Sequence, residues 1–327
     1  MDYELLAAQL LRAVRGNRSQ TAFSRRLGYR SNVSYTWESG RRWPTASMLL
    51  FAMSRTGTDV GAAITRFLQN SPTWLEHLDP CSPEAVAALL TDLRGGTPIL
   101  DVAASTGRSR FAVSRWLKGT AEPRIPDFLR MIECTSLRLL DFLAAVTDPA
   151  ALPAAASQWN RLEAARAMAV ETPWAPAVLL ALELLNYRAL DAHQPGWIAR
   201  RIGIPAHVEA RCVELLADAG HIQMKGGLWK RTHIQAVDTR RSNSGTTLKE
   251  WWGAVSLDRM ARDADGLYSF NLCTVSEADF QRIKELQRAY YRSLRAIVAD
   301  SSPSERLILT NLHIAALDQS AINAAEG

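Results

Sequence analysis

The spacing of apolar and polar positions repeats itself within the chain. Shifting the sequence by 79 residues lays Phe23 on Val102, small Ser24 on Ala103, Leu49 on Phe128, Leu50 on Leu129 and Met53 on Ile132. Rarer residue types follow the same shift: Gly28 falls on Gly107, Trp37 on Trp116, Gly40 on Gly119 and Pro44 on Pro123, four identities within 17 positions. A duplicated unit is the simplest reading. Ser19 suits the N-cap of a helix running to Leu27, and Gly28 stands where a left-handed C-terminal residue is needed. A second helix, from about Ser31 to Ser39, stops at Gly40, and Pro44 prevents its continuation. In the second copy Thr97 reads as the cap and Pro98 as the first helical position, where its missing N–H costs nothing. Ser24 and Ala103 are small where the two helices of each copy would cross. The pattern therefore predicts a short helix, a tight turn and a crossing helix, twice, with Trp37 and Trp116 on the apolar side.

Residues 147–157, TDPAALPAAAS, are rich in Ala and Pro and predict a hinge. ETPWAPAVLLALELL then predicts a buried helix with Pro173 and Pro176 near its start. Farther on, Ile198, Ala199 and Ile202 form one helical face before Gly203, and Val208, Cys212, Leu215 and Leu216 form another before Gly220. Gly226-Gly227 between two short runs predicts a hairpin. In the tail, YSFNLCTVS (268–276) and RLILTNLHIAAL (306–317) are strand-like. Between them Phe280, Ile283, Leu286, Tyr290, Leu294 and Ile297 mark one apolar stripe of a helix over about 277–299, a pattern that usually belongs to a core. Two strands and one helix are little structure, so pairing with a second subunit is expected to complete the sheet.

The chain has 327 residues, 47% hydrophobic and 22% charged, which excludes disordered, collagen-like and coiled-coil classes. Four domains are expected: 1–75, 76–147, 148–236 and 237–327. The longest apolar runs, such as PAVLLALELL, fall short of the roughly 20 residues that span a membrane. The amino terminus lacks the features of a secretory signal. A cytoplasmic location without membrane contact is expected. Cys81, Cys134, Cys212 and Cys273 have no C-x-x-C spacing and suit neither a disulfide framework nor a zinc site. The net charge of +5 is informative when divided: residues 1–75 hold ten Arg against four acids, 76–147 hold eight basic and nine acidic residues, and 148–327 hold twenty of each. The surplus lies in the first 75 residues and consists entirely of Arg, whose planar fork suits phosphate and guanine edges.

At SQTAFSRRLGYRSNVSYTWESGRRWP and TPILDVAASTGRSRFAVSRWLKGTAEP the chain resembles the Cro and lambda-repressor-like (Xre-type) helix-turn-helix regulators, each match covering about 55 residues. The first copy carries Gln20 at the family's Gln position and its Trp-Glu-x-Gly ending at Trp37, Glu38 and Gly40. The second keeps Ser114, Arg115, Trp116 and Gly119 but has Ile99 and Leu117 at the Gln and Glu positions. The resemblance implies that the second helix of each unit enters the major groove. Ser31, Asn32, Tyr35 and Thr36 would face bases, Asn32 pairing bidentately with adenine, and Gln20, Arg30, Arg41 and Arg42 would hold the phosphates. In the second copy Arg110 and Arg115 fall at base-facing positions, with Arg108 and Lys118 nearby.

The run 194–232 reads as a winged helix with Lys225, Lys230 and Arg231 on its wing. Its would-be recognition helix carries Glu209 and Glu214 against Arg211, which opposes phosphate, so a structural or dimer-supporting role is expected there. Residues 172–318 also resemble a bacterial regulator family that joins an amino-terminal helix-turn-helix to a carboxy-terminal domain of unknown function. The fold class that follows is mainly α: tandem helix-turn-helix domains, a winged-helix-like unit and a small α+β strand-helix-strand tail.

The six histidines are dispersed, and no H-E-x-x-H, G-x-S-x-G, P-loop or dinucleotide fingerprint is present, so no catalytic residues, metal or cofactor are expected. The expected function is transcriptional regulation by a homodimer on a long inverted repeat of double-stranded DNA, as a repressor first. The alternative is a protein-interaction module, antitoxin-like or a scaffold. An effector, a small molecule or a protein, is a further expectation, with Trp229, Trp251, Trp252 and Tyr268 as candidate pocket residues.

Overall fold

The computed structural model describes residues 1–232, 244–262 and 265–317; the expected domain boundary at 236/237 lies outside them. The chain divides into two units, Met1–Arg161 and Leu162–Gly327. It is mainly helical with one two-stranded sheet. Among the described residues no helix is long and apolar enough to cross a membrane.

The first unit contains α1 (Tyr3–Arg15), α2 (Gln20–Arg26), α3 (Val33–Glu38), α4 (Ala46–Thr56), α5 (Val60–Leu68), α6 (Pro83–Arg94), α7 (Ile99–Thr106), α8 (Arg110–Leu117), α9 (Ile125–Ser136) and α10 (Leu139–Val146). Five helices are thus answered by five at the shift of about 79 residues. The turn between the second and third helix of each repeat has one construction. Gly28 N–H bonds Arg25 O and Tyr29 N–H bonds Ser24 O; Gly107 N–H bonds Ala104 O and Arg108 N–H bonds Ala103 O. Both glycines have positive φ, 86° and 64°, which a side chain rarely adopts. Ser24 is buried at the crossing, accepting from Ser34 N–H at 3.1 Å. Trp37 and Trp116 are buried, as their spacing predicts. Thr97 does not cap α7: Pro98 itself occupies the extended N-cap, and the helix begins at Ile99.

The two repeats meet around an approximate two-fold relation. Thr45 and Arg124, equivalent residues at the 79-residue shift, form an antiparallel bridge. The flanking bonds are reciprocal, Ala46 N–H to Pro123 O at 3.0 Å and Ile125 N–H to Pro44 O at 3.1 Å. Equivalent helices pack on each other, α4 on α9 and α5 on α10, and the exchanged pairs α1 with α9 and α4 with α6 also touch. Phe67 and Phe142 stand edge to face at 5.5 Å in this junction, both fully buried. Burial of each ring contributes about 2–3 kcal/mol. The expected domains 1–75 and 76–147 are therefore parts of one body.

The Ala/Pro stretch after residue 147 is not an open linker. Pro149 begins a 3₁₀ turn, Leu152 is buried, and α11 (Pro153–Glu171) starts inside the stretch. Pro at the first helical position followed by alanines is a helix start.

The second unit continues with α12 (Ala175–Ala181), α13 (Leu185–Arg188), α14 (Trp197–Ile202), α15 (Ala206–Asp218), β1 (Ile222–Lys225), β2 (Leu228–Arg231), α16 (Ser244–Ala261) and α17 (Glu277–Asp300). Residues from α12, α13, α14, α15 and the hairpin share a core around Tyr187, Ile198, Cys212 and Leu216. Met224 pairs with Trp229 and Lys225 with Leu228, and Gly226-Gly227, both at positive φ, makes the turn. Tyr187 Oη accepts from Trp229 N–H at 3.2 Å and lies 3.1 Å from His193 Nδ1, anchoring the hairpin to α13.

The tail departs from its predicted strand-helix-strand form. The helix is present, but neither 268–276 nor 306–317 is a strand. A period-two pattern yields a strand only where a neighbour supplies the ladder. Here Asn311 Nδ2 bonds Trp252 O, Gln287 Nε2 bonds Leu312 O and Ser304 O accepts from Leu185 N–H instead. The α17 stripe is not core either: Leu286, Tyr290 and Ile297 are exposed.

Candidate nucleic-acid interface

The first repeat uses every one of its four acids for structure. Asp2 caps α1 through Leu5 N–H at 2.9 Å, and Asp59 caps α5 through Ala62 N–H at 2.9 Å. Glu4 pairs with Arg130 at 3.3 Å. Glu38 is buried at the end of α3, where Arg15 Nε donates to Oε1 at 2.6 Å, Ser34 Oγ to Oε1 at 2.7 Å and Gln20 Nε2 to Oε2 at 3.0 Å. Burial pushes the Glu38 carboxyl up, but the hydrogen bonds from Arg15, Gln20 and Ser34 together bring it below the usual value. This clamp ties α1, α2 and α3 together.

Arg25, Arg30, Arg41 and Arg42 remain exposed around α2 and α3, and none is in an ion pair among the described residues. Arg41 lies over the Tyr35 ring at 5.2 Å, so the cation and the exposed aromatic form one surface element. Ser31, Asn32 and Tyr35 are exposed at the start of α3. Thr36 is half-buried and its Oγ1 donates to Val33 O at 2.8 Å, which turns it into its own helix. Asn32 is the N-cap of α3: its Oδ1 accepts from Tyr35 N–H at 3.3 Å. Ser24 Oγ also lies 3.3 Å from the same oxygen, on which the expected bidentate adenine pairing depends. Gln20, expected on a phosphate, spends one of the two N–H groups of its amide on Glu38. A family position identifies a residue type, not the partner that the local packing hands it.

In the second repeat the corresponding surface is built from other residues. Arg110, Phe111, Arg115 and Lys118 are exposed on or just after α8. Arg110 covers the Phe111 ring at 4.8 Å, and Phe111 is 67% exposed, unusual for a phenyl ring. Phe111 was not among the residues that the motif singles out, although the 79-residue shift places it under Asn32. Arg108 is committed to Asp127, Nε to Oδ1 at 2.7 Å. The clamp is missing: Leu117 replaces Glu38 and Ile99 replaces Gln20. Arg94, the counterpart of Arg15, bonds only its own loop through Nη1 to Thr97 O at 2.8 Å, and its Nε is buried with no hydrogen-bond partner among the described residues.

In the second unit Glu209 is not on the surface of α15. It is buried, accepting from Gly196 N–H at 3.1 Å and Ala199 N–H, and so caps α14. Its expected repulsion of phosphate is thereby removed, while exposed Arg211 and Glu214 neutralise each other at 2.9 Å. The aromatic residues expected at an effector pocket divide: Trp251 and Trp252 stack edge-on with Trp174 at 5.0 and 5.3 Å, whereas Trp229 sits in the hairpin. The thiols of Cys81, Cys134 and Cys212 are pushed up to about 11 by burial, reinforced by Asp79, Glu133 and Glu209 respectively, which disfavours thiolate chemistry.

Residues 153–314 match the family described as a domain of unknown function (DUF4423). The match takes in just under half of the chain and leaves both five-helix repeats outside it. No curated protein and no solved structure matches the chain.

Proposed function

We propose that the chain is a sequence-specific DNA-binding transcriptional regulator whose α2–α3 and α7–α8 pairs act as two helix-turn-helix units. The observation that carries this reading is the consumption of all four acids of the first repeat in caps and ion pairs, which leaves the exposed arginines around α3 uncompensated. Arg25, Arg30, Arg41 and Arg42 supply phosphate contacts, and Ser31, Asn32 and Tyr35 approach base edges. Asn32 donates through Nδ2 while Oδ1 stays on the helix cap. The unit of α14, α15 and the hairpin is winged-helix-like and serves as support, as does the domain that contains it. Occupying a promoter represses transcription, the simplest output of such a binder.

The test is the affinity of the full chain for a mixed-sequence duplex as salt is raised. Phosphate binding makes the logarithm of affinity fall linearly with the logarithm of salt, and Arg41→Ala with Arg42→Ala lowers the slope by about 2. An affinity that salt leaves unchanged overturns the reading. It would favour the second one, a protein-interaction module, for which the exposed Leu267, Phe270, Leu286 and Ile297 speak.

A further inference from the structure

The two-fold relation inside the first unit bears on what kind of DNA site is read. Symmetric operators are usually met by two copies of one chain, because a two-fold axis turns one recognition helix into its inverted mate. Here the axis lies within a single chain. Thr45 meets Arg124, and the bonds Ala46 to Pro123 and Ile125 to Pro44 exchange across it. Each third helix leads to that crossing over the same length of chain, from Glu38 to Thr45 and from Leu117 to Arg124. The junction is continuous with a buried core, so the two repeats are held as a fixed pair rather than as beads on a linker.

The surfaces so paired are unlike. Under the 79-residue shift Ser31 becomes Arg110, Asn32 becomes Phe111, Tyr35 becomes Ser114 and Thr36 becomes Arg115. All four positions change chemistry, the three exposed ones of the first repeat and Thr36 alike. The first repeat offers an amide and a phenol; the second offers two guanidinium groups, suited to guanine O6 and N7, and an exposed phenyl ring, suited to a thymine methyl.

We infer that one chain is a complete, pseudo-dimeric reader of a two-part DNA site whose inverted halves differ in sequence, the half under α8 containing guanine and thymine. This rests on the proposed DNA binding. It removes the need for a homodimer in recognition and replaces the long palindrome expected from the sequence with a short asymmetric operator.

The experiment is selection of bound duplexes from a random library with the full chain, followed by native mass spectrometry of the winning complex. The expected result is one chain per duplex on two unlike half-sites centred about 10 bp apart. Arg110→Ala with Arg115→Ala then lowers affinity about tenfold or more and erases preference in one half, while Tyr35→Ala relaxes only the other. Two chains per duplex on identical halves overturns the inference and leaves the DNA reading standing. One chain on a single half-site does the same. Folded protein that binds no duplex even at low salt sinks both.

Discussion

The two repeats share five helices, two turns and a core, yet they differ in how their third helix is held. In the first, Glu38 gathers Arg15, Gln20 and Ser34 into a buried clamp. In the second, Leu117 and Ile99 replace the carboxylate and the amide, and Arg94 keeps a buried nitrogen with no partner among the described residues. The comparison teaches that the fold does not require the clamp. Apolar packing around Trp116, Val113 and Phe128 holds α8 without it. An ion pair of this kind adds little net stability when whole and costs much when broken, because its partners are already dehydrated. Of the four members of the network only the arginine has a like counterpart in the second repeat, Arg94.

The strongest way to break this comparison is to give the first repeat the second repeat's residue. Glu38→Leu leaves Arg15 with only the carbonyls of Gly16 and Arg18 and should cost about 3 kcal/mol in urea denaturation, the low end for a broken buried pair since Arg15 keeps those bonds and some contact with water. A loss below about 1 kcal/mol would mean that the clamp contributes little even in the first repeat, which has it.

Acid should act on the same clamp. The folded Glu38 carboxyl lies below its ordinary value of 4.5, so its contribution is complete above that value and disappears as pH falls through the folded value. Stability measured from neutral pH downward should therefore drop below about pH 4.5, less steeply in Glu38→Gln. Equal slopes in the two proteins would remove Glu38 as a source of acid sensitivity.

Arg94 supplies the opposite test. Arg94→Met discards a dehydrated nitrogen along with one loop hydrogen bond, and stability should stay within about 1 kcal/mol of the parent. A loss matching that of Glu38→Leu would reveal a partner for Arg94 in solution.

The smallest effect sharpens the difference between the surfaces. Phe111→Ala removes an exposed ring and should leave stability within about 0.5 kcal/mol. On the selected DNA it should cost about 1 kcal/mol at one thymine, read by comparing duplexes with and without that base. A uniform loss on every duplex would make Phe111 a general contact instead of a base reader.

Much of the first unit was legible because its punctuation is chemical. Ser19 caps α2, Gly28 and Gly107 end helices at positive φ, and Trp37 and Trp116 sit on the inner face. Other features read wrongly for reasons of the same kind. Glu209 has the spacing of an exposed residue, but two N–H groups at the start of α14 draw it inward. The Ala/Pro run after residue 147 reads as a hinge because linkers and helix starts share these residues. The tail has the alternation of strands and the stripe of a core helix, yet alternation specifies a face and not a neighbour.

The sequence by itself determined the duplication, the excess of arginine and the glycine stops after α2 and α7, since each depends on residue type at local spacing. Tertiary structure alone decided that the repeats form one two-fold body. Its crossing is made of backbone bonds at Pro44, Ala46, Pro123 and Ile125, and a backbone N–H or C=O bears no mark in the sequence of the partner it will meet. The fates of Gln20 and Arg108 were decided there too, because a polar group bonds to whatever packing brings within about 3 Å.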